Sequence, residues 1–163
     1  MSDERQYRLS EVADALGVPL ARVRTMRTRN QTAMWDAGID EPERVWRDYS
    51  IDDAVAFACV LDLIEKGLAA DVAASIVGNS RAHIKAGPHP RAAHHTDVWI
   101  GAVFFADGRA HVGGQLCDLL IDIEKKVRHE IRAADDGNGT AVFIVNASTH
   151  FRKLKEALRD AAR

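Results

Sequence analysis

The stretch from Leu9 to Thr28 constrains this chain most. A small residue, a glycine and a proline recur there at the spacings of two short helices joined by a tight turn. Ser10 precedes Glu11-Val12-Ala13-Asp14-Ala15-Leu16 and is a good N-cap. Gly17 can take the left-handed conformation that ends a helix. Pro19 suits a first helical turn, where its missing N–H would be unpaired anyway. Ala13 is the small residue at which the helices cross, and Val12, Leu16, Val18, Val23 and Met26 occupy the inward positions. This is helix-turn-helix spacing, with a second helix from about Pro19 to Thr28 that docks in the DNA major groove.

Overall charge gives no hint of such a partner. The formal net charge is −2, so a case for nucleic acid must rest on a local patch. Between Pro19 and Gln31 the chain carries Arg22, Arg24, Arg27 and Arg29 and no acid. A solvated arginine face on a small helical bundle is the plainer reading of that run. The coincidence of the patch with the helix-turn-helix spacing favours DNA. Arginine can pair bidentately with guanine or phosphate, and threonine can reach a phosphate or a thymine methyl.

Beyond this pair, residues 30–46 have no clear period and read as an irregular loop or short wing anchored by Trp35 and Trp46. Ser50 caps a third helix with Asp52 and Asp53 in its first turn. Its segment Ala54 to Ile64 is apolar on nearly all faces, which argues for burial, and Gly67 ends it. A fourth helix runs from about Ala70 to Val77.

Three ordered pieces of residues 7–77 resemble regulators of the MerR family. They are Tyr7-Arg8-Leu9-Ser10-Glu11-Val12-Ala13 with Leu16-Gly17-Val18-Pro19 and Val23-Arg24, then Arg47-Asp48-Tyr49-Ser50, then Glu65-Lys66-Gly67-Leu68 with Val72-Ala73 and Ile76. The resemblance implies a winged-helix fold whose second helix enters the major groove and whose wing touches the backbone. By it, Arg24 contacts DNA, and Arg47 and Tyr49 lie at the wing's end. The candidate DNA-binding residues are therefore Ser10, Pro19, Leu20, Ala21, Arg22, Arg24, Thr25, Arg27, Thr28, Arg29, Arg47 and Tyr49. The family's glycine-centred wing hairpin, its coiled-coil dimerisation helix and its effector-binding cysteines are missing.

Residues 79–96 read as a linker between a domain at 1–78 and a second at 97–163. The stretch holds Gly87, Pro88, Pro90 and four of the seven histidines. After it the grammar changes. Val98 to Ala106 is strand-like, Asp107-Gly108 signals a hairpin turn, and Ala110 to Val112 is the return strand. Gln115 to Arg132 is an amphipathic helix with Leu116, Leu119, Leu120, Ile123, Val127 and Ile131 on one stripe. Ala141 to Val145 is an apolar strand, and Ser148 caps a last helix. The fold class is a mainly α, winged helix-turn-helix head followed by a small α+β domain of order β-β-α-β-α.

That second domain is the available part for dimerisation, since a palindromic operator mirrors a two-fold protein. A small-molecule sensor is the alternative, with no effector named by the residues. Cys59 and Cys117 lie in apolar patterns and read as reduced, buried thiols of a cytosolic protein. His94, His95, Asp97 and His111 lack metal-ligand spacing. Gly113-Gly114 has no Lys-Ser/Thr after it and reads as a strand-to-helix turn rather than a phosphate loop. No Ser/His/Asp arrangement points to catalysis, so neither enzyme activity nor a cofactor is expected. The apolar run Ala54 to Leu61 is too short to span a bilayer, and Met-Ser-Asp-Glu-Arg offers no secretory h-region, so a cytoplasmic protein is expected. The expected function is sequence-specific transcription regulation as a homodimer on double-stranded DNA. The alternatives are an excisionase-like or architectural DNA-binding factor, or a protein–protein adaptor that binds no DNA.

Overall fold

Left-handed residues set the ends of the first helices. In the computed structural model, which describes residues 6–34, 49–86, 97–105, 108–133 and 141–160 (the backbone alone for 129–133), helix α1 is Leu9–Ala15 and α2 is Leu20–Thr28. After α1, Gly17 sits at φ 65°, the Gly17 N–H donates to the Asp14 carbonyl at 3.0 Å, and the Val18 N–H donates to the Ala13 carbonyl at 2.9 Å. This double closure turns the chain within a few residues and satisfies carbonyls that the helix leaves open. Asn30, at φ 56°, closes α2 in the same way, with the Gln31 N–H on the Met26 carbonyl at 2.8 Å.

The start of α1 differs from expectation. It begins at Leu9, and Ser10 lies inside it rather than at its cap. The capping contact comes from Glu11, whose carboxylate accepts the Arg8 N–H at 2.7 Å. Pro19 is likewise the cap of α2 rather than a residue of its first turn.

Helix α3, Ile51–Glu65, starts as expected at Ser50, whose hydroxyl oxygen accepts the Asp53 N–H at 3.2 Å while Asp53 accepts the Ser50 N–H at 3.0 Å. Its run from Ala54 to Val60 is wholly buried. Helix α4 is Ala70–Asn79, and α5, Arg81–Ala86, occupies what reads in the sequence as the first part of a linker. Ile84 of α5 is buried, and the Arg81 guanidinium pairs with the Asp53 carboxylate and donates to the Ala33 carbonyl at 2.6 Å. Wing residues 35–46, with both Trp35 and Trp46, and linker residues 87–96 fall outside the described residues, as does Arg47.

Strands β1, Val98–Phe105, β2, Gly108–Gln115, and β3, Ala141–Asn146, form an antiparallel sheet in the order β2-β1-β3. The return strand is longer than its sequence suggests, and Gly113 and Gly114 belong to it rather than to a turn. A side chain at 113 would collide with the His83 ring, which lies 2.6 Å from the Cβ position. Helix α6, Leu116–Ala133, follows β2 directly, and α7, Ala147–Asp160, follows β3.

Alternation along β1 explains the layers. Val98, Ile100 and Ala102 face a core built with α3, α4 and α7, and Val145 joins them from β3. Val103 faces the other way, with Val112 and Leu119, under α6. The sheet is therefore covered by helices on both faces. Residues from both sides of the 79–96 boundary, such as Val12 and Leu158, bury themselves in one continuous core. The larger core thus draws on both sides of that boundary, while the smaller cluster under α6 lies wholly after it.

Helix α7 is tied to α3 by charge as well as by packing. His150 Nε2 lies 3.0 Å from an Asp62 carboxylate oxygen, and Lys66 pairs with the other oxygen. Burial pushes the Asp62 carboxyl up, but the hydrogen bonds and charges of Lys66 and His150 outweigh it and hold it below its ordinary value of 3.8. A carboxyl with a depressed pKa stabilises the fold above its unfolded value and loses that contribution as pH falls through the folded one. Urea unfolding across the acid range should thus show a stability loss below about pH 4, and Asp62→Asn should flatten that part of the profile. An unchanged profile in the variant would remove this role.

The described residues contain no helix long and apolar enough to cross a membrane. Cys59 is buried, and desolvation pushes its thiol up. Cys117 is exposed, contrary to the expectation of two buried thiols, because α6 turns it away from the sheet.

Candidate nucleic-acid interface

Helix α2 divides its residues by face. Val23 and Met26 are buried against the core that also holds Val12 and Ala13 of α1. Ala13 is fully buried where the two helices meet, which is why a small residue is needed there. Once these positions are fixed, Ala21, Arg22, Arg24, Thr25, Thr28 and Arg29 have only solvent left to face, and all are exposed. Pro19 is exposed as well, while Leu20 is half-buried and packs on the core.

Among the described residues, the guanidiniums of Arg22, Arg24 and Arg29 have no hydrogen-bond or ion-pair partner. Most surface arginines beside carboxylates form ion pairs, as Arg128 does with Glu124 at 2.6 Å. The segment from Pro19 to Gln31 offers no such acid. Three guanidiniums, each with five donors in a fixed fork, are exposed on α2 and its C-terminal cap, with Arg22 and Arg24 at opposite edges of the face that carries Ala21, Thr25 and Thr28. That arrangement can hold phosphates or carboxylates, and it can read the edge of guanine.

The two threonines play a narrower part. The Thr25 hydroxyl donates to the Ala21 carbonyl at 3.0 Å, and the Thr28 hydroxyl donates to the Arg24 carbonyl at 2.9 Å. Their protons are used within the helix, so outwardly they offer oxygen lone pairs and methyl groups. Ser10 is half-buried in α1.

Tyr49 corrects the sequence reading. It is 2% exposed, so it supports the surface from beneath and does not reach a ligand. Its backbone pairs with that of Tyr7, N–H to carbonyl at 2.8 Å and 2.7 Å in the two directions. The Arg27 guanidinium sits 5.8 Å from the centre of its ring. Arg27 is half-buried and thereby ties α2 to the strand-like bridge before α3. The sequence treats Arg27 as one more exposed arginine. The available signal was that Tyr7 and Tyr49 are the chain's only tyrosines and flank the helix pair.

The possible cation ligands serve elsewhere. Asp97 accepts from Arg152 at 2.7 Å and from Asn146 at 2.9 Å, and His111 lies 3.2 Å from Asn79. His94 and His95 lie outside the described residues. Among the described residues no three His, Cys, Asp or Glu side chains converge on a metal position. No family model matches the chain, and neither does any curated protein.

Proposed function

We propose that the chain is a DNA-binding transcription regulator that places α2 in the major groove of double-stranded DNA. The unpaired trio Arg22, Arg24 and Arg29, on a helix held at a fixed angle by the Gly17 turn, carries this reading. Arginines without acid partners are pre-set for phosphate and guanine and require no internal ion pair to be broken. The MerR-like order of residues 7–77 supports the same assignment. Arg22 and Arg24 are the residues for base edges and phosphates. Arg29, at the end of the helix, is suited to a phosphate. Arg27 holds the helix on Tyr49.

The test is selection of bound duplexes from a random pool, followed by fluorescence anisotropy on the enriched sequence. Arg22→Ala/Arg24→Ala/Arg29→Ala should weaken binding by on the order of 100-fold, while the fold stays intact because all three side chains are exposed. Equal binding by the variant would sink the proposal. So would a selection that enriches nothing and a wild-type chain that leaves duplex DNA unbound.

A further inference from the structure

The exposed face of α2 has an order that its arginines alone do not explain. Ala21, Thr25 and Thr28 follow one another at spacings of four and three residues, which stacks them in one strip along the helix, and all three are exposed. Arg24 lies along one edge of this strip and Arg22 along the other. At a rise of 1.5 Å per residue the strip is about 10 Å long, the length of about three base steps along a DNA strand.

The strip offers no hydrogen-bond donor. Ala21 carries only a methyl group. The hydroxyl protons of Thr25 and Thr28 go to the Ala21 and Arg24 carbonyls at 3.0 Å and 2.9 Å. A threonine Cβ carries two branches, and turning the hydroxyl back one helical turn leaves the γ-methyl as the branch for the outside. The centre of the face is therefore three methyl groups, with hydroxyl lone pairs beside two of them. Such a surface has nothing to give to guanine, whose N7 and O6 both accept. It leaves adenine N7 unanswered as well. Cytosine offers an N4 amine that a threonine oxygen can accept, but Ala21 has no acceptor to meet it. Of the four bases thymine alone presents a methyl in the major groove, and contact between that methyl and those of the strip removes both from water.

We infer that Ala21, Thr25 and Thr28 are base-reading residues of α2 and that they select thymine by methyl-to-methyl contact, while Arg22 and Arg24 hold what lies on either side. The inference rests on the DNA-binding reading and adds which base lies under the centre of the helix.

The experiment begins with duplexes selected by the full chain from a random pool. Each thymine of the enriched sequence is then replaced in turn by deoxyuridine, which pairs alike and lacks the 5-methyl, and affinity is read by fluorescence anisotropy. A thymine under the strip should cost the wild type about fourfold when replaced, the worth of one methyl-sized group taken out of apolar contact. The salt slope should not move, because no phosphate contact is touched. Thr25→Ser/Thr28→Ser keeps both hydroxyls and loses both methyls. At the thymines these residues touch, the variant should bind the thymine and uracil duplexes alike. Equal wild-type affinity for both duplexes at every thymine would overturn the inference and leave the DNA-binding reading standing. An enriched sequence without thymine, or a serine variant that discriminates at every sensitive position as well as the wild type, would do the same. A wild-type chain that binds no duplex would overturn both.

Discussion

Asp53→Ala should cost about 3–5 kcal/mol of stability, the loss expected when one partner of a buried ion pair is removed. Asp53 does three jobs from one position. It accepts the Ser50 N–H at 3.0 Å and the Ser50 hydroxyl at 2.7 Å, and it pairs with Arg81. Both side chains of the ion pair are nearly buried, at 11% and 10% exposure. Removing the carboxylate opens the start of α3 and strands a guanidinium among buried groups, with the Ala33 carbonyl still accepting from it. Because Ala33 follows α2, the same change should loosen the helix pair from the rest of the core. Urea unfolding of Asp53→Ala beside Asp52→Ala separates the network from a general first-turn charge effect. Asp52 should cost well under half as much, since its pKa is raised by burial and by Asp53 beside it, and its charge therefore opposes the fold. Equal losses in the two variants would show that the Asp53 network contributes nothing special.

Gly101→Val is the second large effect. Gly101 lies in the central strand, opposite Val112 on one side and Ile144 on the other. A Cβ there would run into the Phe143 carbonyl oxygen and approach the Ile144 Cα and Cγ2 to 2.9 Å. The colliding atoms include backbone of the neighbouring strand, so no side-chain rotation relieves the clash. Overpacking of this kind costs about 1–3 kcal/mol and sometimes more. Here it also threatens the β1–β3 pairing on which α7 depends. The expected result is a sharply lower thermal midpoint with loss of α7 docking, read by hydrogen exchange in 147–160. A variant as stable as the wild type would mean that β3 does not lie against β1 at this register.

The helix pair was legible because its constraints are local. Ala13, Gly17 and the inward Val12, Val23 and Met26 act over fewer than twenty residues, and each finds its expected place. The hairpin and the α6–β3–α7 order were legible for the same reason. What could not be read depends on distant partners. Arg81 and Ile84 look like linker residues until Asp53 and the sheet are set beside them. Tyr49 looks like a surface residue until Tyr7 pairs with it across the intervening chain. Leu116 and Leu120 fit the α6 stripe by period, but the sheet beneath reaches only part of that stripe. Charge on α2 was visible as composition. That the guanidiniums of Arg22, Arg24 and the capping Arg29 are unpaired while Arg27 leans on an aromatic ring was not.

The salt dependence of DNA binding tests the central claim most directly. Each phosphate neutralised by an arginine contributes about 0.9 to the slope of log K against log salt on duplex DNA. Titrations of the wild type and of Arg22→Ala/Arg24→Ala/Arg29→Ala should give two lines, the variant's flatter by up to about 2.7 per protomer and lower in affinity throughout. Parallel lines of equal affinity would contradict the account and return α2 to the status of a solvated helix face.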